Sequence, residues 1–110
     1  MRVSRGRSQP DTVDTLSEES KLIRAIILHL LYDQADWLAG RIIHKTIAAY
    51  TDTSGGKLGM HLGYLEEEDL IESERRKLGA ASFDFFRIKP RGIDVHEGTI
   101  THPGVGMRPE

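Results

Sequence analysis

The chain has 110 residues, enough for one domain with a single modest core. It contains no cysteine, which excludes disulfides, thiol catalysis and thiolate zinc sites. The formal net charge of −2 argues against a general nucleic-acid binder, although the cations are clustered. No apolar run approaches the roughly 20 residues that span a bilayer, and the N-terminus lacks the apolar segment of a secretory signal. We therefore expect a soluble cytoplasmic protein.

The first segment of the chain has no hydrophobic period. Residues 1–15 are rich in Arg, Ser, Gly and Pro, and Arg2, Arg5 and Arg7 lie close together in the sequence. Such a composition buries too little apolar surface to fold by itself. We predict a flexible basic arm over residues 1–15, followed by a folded domain that begins at residue 16.

A first helix is predicted after the arm. Ser17 precedes Glu18 and Glu19, an order typical of a helix N-terminus, where a hydroxyl caps free N–H groups and carboxylates face the positive end of the dipole. Apolar residues then recur at the spacing of a helix that is buried along one stripe. These residues are Leu22, Ile23, Ile26, Ile27, Leu30 and Leu31. The helix should reach about Tyr32.

A second helix should span about Leu38 to Tyr50. The side chains expected to point inward are Ile42, Ile43, Ile47 and Tyr50. The stretch "TSGGKLGMHLGYLEEEDLIES", residues 53–73, then predicts a third helix with leucines on one face that ends near Asp69. Thr53 or Ser54 is placed to cap it. Asp69 tolerates the left-handed conformation that a sharp turn into a strand requires.

Two strands and a short helical turn complete the predicted elements. "LIESE" alternates apolar and polar residues, and "SFDFFRI" has a period near two. Between them, "RRKLGAA" is predicted to be a loop with three cations at the hairpin tip. Pro90 should begin one helical turn anchored by Ile93, and residues 98–110 should form an extended C-terminal tail.

This order of elements predicts the fold class. Three helices, then a two-stranded hairpin with a basic loop, then a short C-terminal helical turn is the order of an α+β winged helix-turn-helix. We assign that domain to residues 16–97.

Catalytic, metal and cofactor sites are not predicted. The five histidines show no metal-ligand spacing, and "HEG" is not the paired-histidine helix motif of zinc proteases. "SGGK" lacks both the earlier glycine of a phosphate-binding loop and the Ser or Thr after its lysine. We therefore predict a protein that is not an enzyme.

The candidate DNA-binding residues follow from the predicted fold, in which the third helix enters the major groove and the wing contacts phosphates. They are Ser54, Lys57, Met60, His61 and Tyr64 on the third helix, and Arg75, Arg76 and Lys77 on the wing. Lys57 and His61 are the expected hydrogen-bond donors. For the wing cations, the alternative is that they keep the hairpin soluble and protect its edges from pairing.

The third helix is poor in side chains that could reach a base, because it contains four glycines. They are Gly55, Gly56, Gly59 and Gly63. Each glycine inside a helix costs about 0.5–1 kcal/mol relative to alanine. One explanation is that they let a DNA backbone or another helix approach closely. Sequence-specific base reading is therefore disfavoured, and both shape-based docking on double-stranded DNA and a protein partner remain open.

Two segments resemble a known family. "LGYLEEEDLIES" and "RIKPRGIDVHEGTITHPGV" are similar to the helix end and the closing segment of small winged-helix proteins from Mu-like phages and prophages, the ArdK-like transcriptional regulators. The resemblance covers about residues 17–108. It implies a transcriptional regulator in a bacterial host cell that binds double-stranded DNA, or a module that binds a phage or host protein. A homodimer is left open. Gly55, Gly56 and Gly59 stand at the start of the third helix, where relatives tend to carry polar or basic side chains.

Overall fold

The structure is a computed structural model that describes residues 17–51 and 55–106. In chain order the elements are α1 (Glu18–Gln34), β1 (Leu38–Ala39), α2 (Gly40–Ala48), α3 (Gly55–Glu67), β2 (Ile71–Leu78), β3 (Ala81–Ile88) and α4 (Pro90–Glu97). The strands form an antiparallel sheet in the order β1-β3-β2. This confirms the α+β winged helix. The arm over residues 1–15 and the candidate Ser54 lie outside the described residues. No helix in the described ranges is long and apolar enough to cross a membrane.

Helix α1 lies at the centre of the core. Its N-cap is Ser17, whose hydroxyl accepts a hydrogen bond from the Ser20 N–H, as predicted. Because α1 contacts α2, α3, α4 and β3, its buried face is broad and is centred on Ile27 and Leu31. Leu22 was expected in the core, but it is 50% exposed because it lies on the opposite side of the helix.

Helix α2 is shorter than predicted, because Leu38 and Ala39 form strand β1 and pair with Phe86 and Phe85. The core positions in this segment are Ile43 and Ile47, both fully buried. The positions wrongly expected to be inward are Ile42, which is 43% exposed, and Tyr50, which is 69% exposed. A nine-residue helix buries only one narrow stripe, and Tyr50 lies beyond its end.

The turn from α3 into β2 confirms the prediction for Asp69, which has a left-handed backbone with φ 65°. The Leu70 N–H donates to the Leu65 carbonyl and the Asp69 N–H donates to the Glu66 carbonyl, which is the Schellman arrangement. Lys89 donates a hydrogen bond to the Asp69 carboxylate and thereby lowers its pKa. The end of α3 is therefore fixed by its backbone and by an ion pair to the residue before α4.

The hairpin differs from the prediction in the length of its strands. Each strand has eight residues, and only Gly79 and Ala80 form the turn. Gly79 has a φ of 67° at the first central position, where a two-residue hairpin turn favours glycine. The predicted loop "RRKLGAA" is therefore mostly strand. Arg75, Arg76 and Lys77 lie within β2 rather than at the tip.

The C-terminal part of the described chain packs against the helices. Pro90 begins α4, and Ile93 packs against the core, as predicted. Beyond α4, His102 and Val105 are buried, and the Gly106 N–H donates to the Lys21 carbonyl of α1. Residues 102–106 thus form part of the folded body.

Candidate nucleic-acid interface

Helix α3 turns its leucines inward and has few side chains on its outer face. Leu58, Leu62 and Leu65 are each at most 8% exposed, whereas Met60 is 47% exposed. At about 100° per residue, Met60 and the exposed Glu67 both lie on the outer face, two turns apart, with Gly63 between them. Lys57 is exposed at the side of this face.

His61 does not belong to the outer face, contrary to the prediction. It is 2% exposed, because it follows Leu58 by three residues and precedes Leu65 by four, which places it on the buried side. Its Nδ1 atom has no hydrogen-bond partner among the described residues. Burial, and then the charges of Arg24 and Lys57, lower the pKa of His61 to about 4. The side chain is therefore neutral at pH 7 and cannot reach a base.

Tyr64 was also predicted to be exposed, but its ring packs between α1 and residues 102–106. The Arg24 guanidinium carbon lies 3.9 Å from the ring centroid, and the His102 ring meets it edge-on at 5.9 Å. Arg24 is itself 1% exposed and donates to the Gly104 carbonyl. The aromatic ring of Tyr64 therefore stabilises the fold.

The three wing cations lie on two different faces of the sheet, since side chains alternate along a strand. Arg76 faces outward, with its guanidinium carbon 4.5 Å from the Phe85 ring centroid, and it pairs with Glu74. Arg75 and Lys77 share the other face. Arg75 Nε lies 3.0 Å from Asp84 Oδ1. Lys77 is exposed, and within the described ranges no ion pair involves it.

A groove of about 520 Å³ separates α3 from the hairpin. Gly59 and Gly63 form part of its α3 wall, and at either position an added Cβ would have no atom within 4 Å. Arg41 and His44 of α2, Ser82 and Asp84 of β3, and Glu66 of α3 contribute its polar groups. Lys77 is the cross-strand partner of Ser82, one of the residues that line the groove.

The groove also contains two carboxylates, those of Asp84 and Glu66. Asp84 is neutralised by Arg75. Glu66 accepts a hydrogen bond from the Ser73 hydroxyl and pairs with no cation in the described residues. No group of three or more His, Asp or Glu side chains in the described part of the chain could hold a metal ion.

Two solved structures are similar to this one in fold. A PadR family transcription regulator from hypervirulent Clostridium difficile matches with a TM-score of 0.59 and 18% identity, over 70% of this chain and 81% of that one. A transcriptional regulator from Clostridium thermocellum matches with a TM-score of 0.60 and 25% identity, over 72% of this chain and 79% of that one. The fold is a winged helix. No protein-family model and no curated protein matches the chain, so the resemblance to ArdK-like phage proteins stays a prediction.

Proposed function

We propose that this protein is a DNA-binding transcriptional regulator. Helix α3 docks in the major groove, and one sugar–phosphate strand lies in the groove between α3 and the hairpin. The observation that carries this proposal is the open groove wall formed by Gly59 and Gly63, in a groove that Arg41 also lines and whose residue Ser82 has Lys77 as its cross-strand partner. The winged-helix fold, which the chain shares with two transcription regulators, supports it.

Phosphate contacts supply most of the affinity in this proposal. Arg41, Lys77 and Lys57 are exposed, whereas the outer face of α3 carries glycines, Met60 and, at its C-terminal end, Glu67. Phosphate contacts position a protein on DNA without reading its sequence. We therefore propose a regulator that relies on shape and charge more than on hydrogen bonds to base edges.

The test compares two neighbouring cations that lie on opposite faces of the hairpin. Lys77→Ala should weaken binding to every duplex by a similar factor and flatten the salt dependence by about 0.9 in log–log slope, the loss of one phosphate contact. Arg76→Ala removes the same charge one residue away, but on the outer face, and should retain the wild-type slope. Fluorescence anisotropy with a labelled duplex across a salt series measures both.

Two outcomes would contradict the proposal. Equal slopes for Lys77→Ala and wild type would remove the groove face of the hairpin from the interface. Absence of saturable duplex binding by the wild-type protein at low salt would remove DNA as the ligand. Urea denaturation of both variants checks that neither substitution has unfolded the hairpin, because Arg76 also stacks over Phe85.

A second candidate function is a module that binds a phage or host protein through the same groove. Ala39, Leu62, Phe83 and Phe86 give the groove an apolar lining, and Glu66 adds a negative charge that phosphates would avoid. This candidate requires no duplex binding at low salt. It also requires that a bulky residue in place of Gly59 or Gly63 abolishes binding of the partner protein.

A phage or prophage setting is the finer part of the proposal, and it is supported by the two segments that resemble the Mu-like phage proteins. A homodimer would present two copies of α3 to half-sites about one DNA turn apart. The stoichiometry of the protein on a duplex, measured by analytical ultracentrifugation, tests for a second copy.

A further inference from the structure

Met60 is an apolar side chain that the core does not use. It is the only large apolar residue of α3 that is exposed in the described part of the helix, with 47% of its surface accessible. The three leucines of α3 already fill the inner face. A hydrophobic side chain at the centre of the outer face therefore has no intramolecular role in the described structure.

The surroundings of Met60 make it project beyond its neighbours. Gly59 immediately precedes Met60. Gly56 lies four residues before Met60, and Gly63 lies three residues after it. Around Gly59 and Gly63 there is open space. Met60 therefore stands among glycines on the outer face of α3, with the exposed Glu67 two turns further along the same face. Its side chain is unbranched and flexible.

Two of the side chains predicted to contact base pairs are not available on this face. His61 is buried and neutral at pH 7, and Tyr64 packs against Arg24. On the major-groove edge of DNA, the apolar feature is the methyl group at C5 of thymine. 5-Methylcytosine presents the same group at the same ring position.

We propose that Met60 is a specificity-determining residue that contacts the C5-methyl group of a pyrimidine in the major groove. The inference rests on the proposed DNA binding and adds to it a preference for methylated pyrimidines. The flanking glycines allow the helix backbone to come close enough for one side chain to reach the methyl group. Lys57 and Lys77 contribute to affinity on all sequences.

The experiment uses four duplexes that form two pairs. One pair is alternating dA-dT and alternating dA-dU, which differ only in the thymine methyl group. The other is alternating dG-dC with and without methylation at cytosine C5. The full-length wild-type protein should bind the methylated member more tightly, by about fourfold for each methyl group that it buries.

Two variants test whether Met60 is the residue that causes the preference for the methylated duplex. Met60→Ala should bind both members of each pair with equal affinity. Leu22→Ala is the matched control, because Leu22 is 50% exposed on α1, and it should retain the wild-type preference. Circular dichroism and urea denaturation confirm that both variants are folded.

The outcomes separate this inference from the proposed function. A preference within the first pair alone identifies thymine as the source of the methyl group, and a preference within both pairs identifies any C5-methylpyrimidine. Equal affinity of the wild-type protein within both pairs overturns the inference while DNA binding stands. A preference that Met60→Ala retains also overturns it. Absence of saturable binding to all four duplexes overturns the proposed function as well.

Discussion

His61 lies in the core beside Arg24, and burial together with the neighbouring cations lowers its pKa to about 4 from an ordinary value of 6.5. Between these two pH values the unfolded chain binds a proton at His61 that the folded chain does not bind. Stability therefore rises with pH across this range. Above pH 6.5 His61 is neutral in both the folded and the unfolded chain, and the full stability is present. This stability is lost as the pH falls toward 4, because only the unfolded chain gains the proton.

We predict that His61→Leu removes this pH dependence. In the wild-type protein, the free energy of unfolding should fall by about 3 kcal/mol on account of His61 between pH 6.5 and pH 4, since one pKa unit corresponds to about 1.4 kcal/mol. The variant should be at least as stable as the wild type at pH 7, because it also removes the buried Nδ1 atom that lacks a partner. Urea denaturation of both proteins at pH 7, 5.5 and 4.5 gives the difference. The same loss of stability in both proteins would show that His61 is not the group responsible.

At the scale of single elements, the apolar period predicted the helices well, because a helix with one buried stripe shows it directly in the sequence. The inward leucines of α3 and the left-handed Asp69 were both correct. The position of His61 follows from the same period, since it lies on the leucine side of the helix. A count of three and four residues from Leu58 and Leu65 would have found it.

The hairpin shows why the wing could not be predicted equally well. "RRKLGAA" has little intrinsic preference for a strand, so its conformation depends on pairing with a segment further along the chain. The cross-strand pairs Arg75 with Asp84 and Lys77 with Ser82 extend the ladder nearly to the turn. Once those residues form a strand, alternation separates Arg76 from the other two cations. The single basic tip in the prediction is therefore two charged faces in the structure.

We predict opposite effects on stability and on binding for Gly59→Ala. Alanine in place of a glycine within a helix should stabilise the protein by about 0.5–1 kcal/mol, since an added Cβ meets nothing within 4 Å. The same Cβ narrows the groove, so duplex binding should weaken. Urea denaturation and fluorescence anisotropy measure the two effects. An unchanged affinity would mean that the DNA strand does not approach this wall of the groove.

At the scale of the whole molecule, residues 102–106 join α1 to α3. Arg24 Nη1 donates to the Gly104 carbonyl at 3.0 Å, and its guanidinium stacks on Tyr64. His102 Nδ1 accepts from the Gly104 N–H, so its Nε2 carries the proton and donates to Glu68 at the end of α3. These contacts connect residues far apart in the sequence and have no periodic signature. The sequence therefore predicted only an extended tail over residues 98–110.

We predict that Gly104→Ala destabilises the protein by about 1–3 kcal/mol, the range for forcing an extra group into a packed site. The added Cβ would collide with the Tyr64 hydroxyl and lie 2.6 Å from Cζ of the ring. The ring would have to move away from Arg24. Gly59→Ala is the matched comparison, because the same chemical change in open space should act in the opposite direction. Equal midpoints of urea unfolding for Gly104→Ala and wild type would show that residues 102–106 do not hold Tyr64 in place.

Strand β2 forms one edge of the sheet, since its only partner in the order β1-β3-β2 is β3. A second copy that extended the sheet antiparallel through this edge would be related by a two-fold axis, and the residue on that axis would face its own copy. In the three registers centred on the middle of the strand, that residue is Glu74, Arg75 or Arg76. Identical charges directly opposite each other destabilise a pair of strands. The pair of like charges on the axis is therefore an unfavourable contact in each of these three registers of sheet extension through β2.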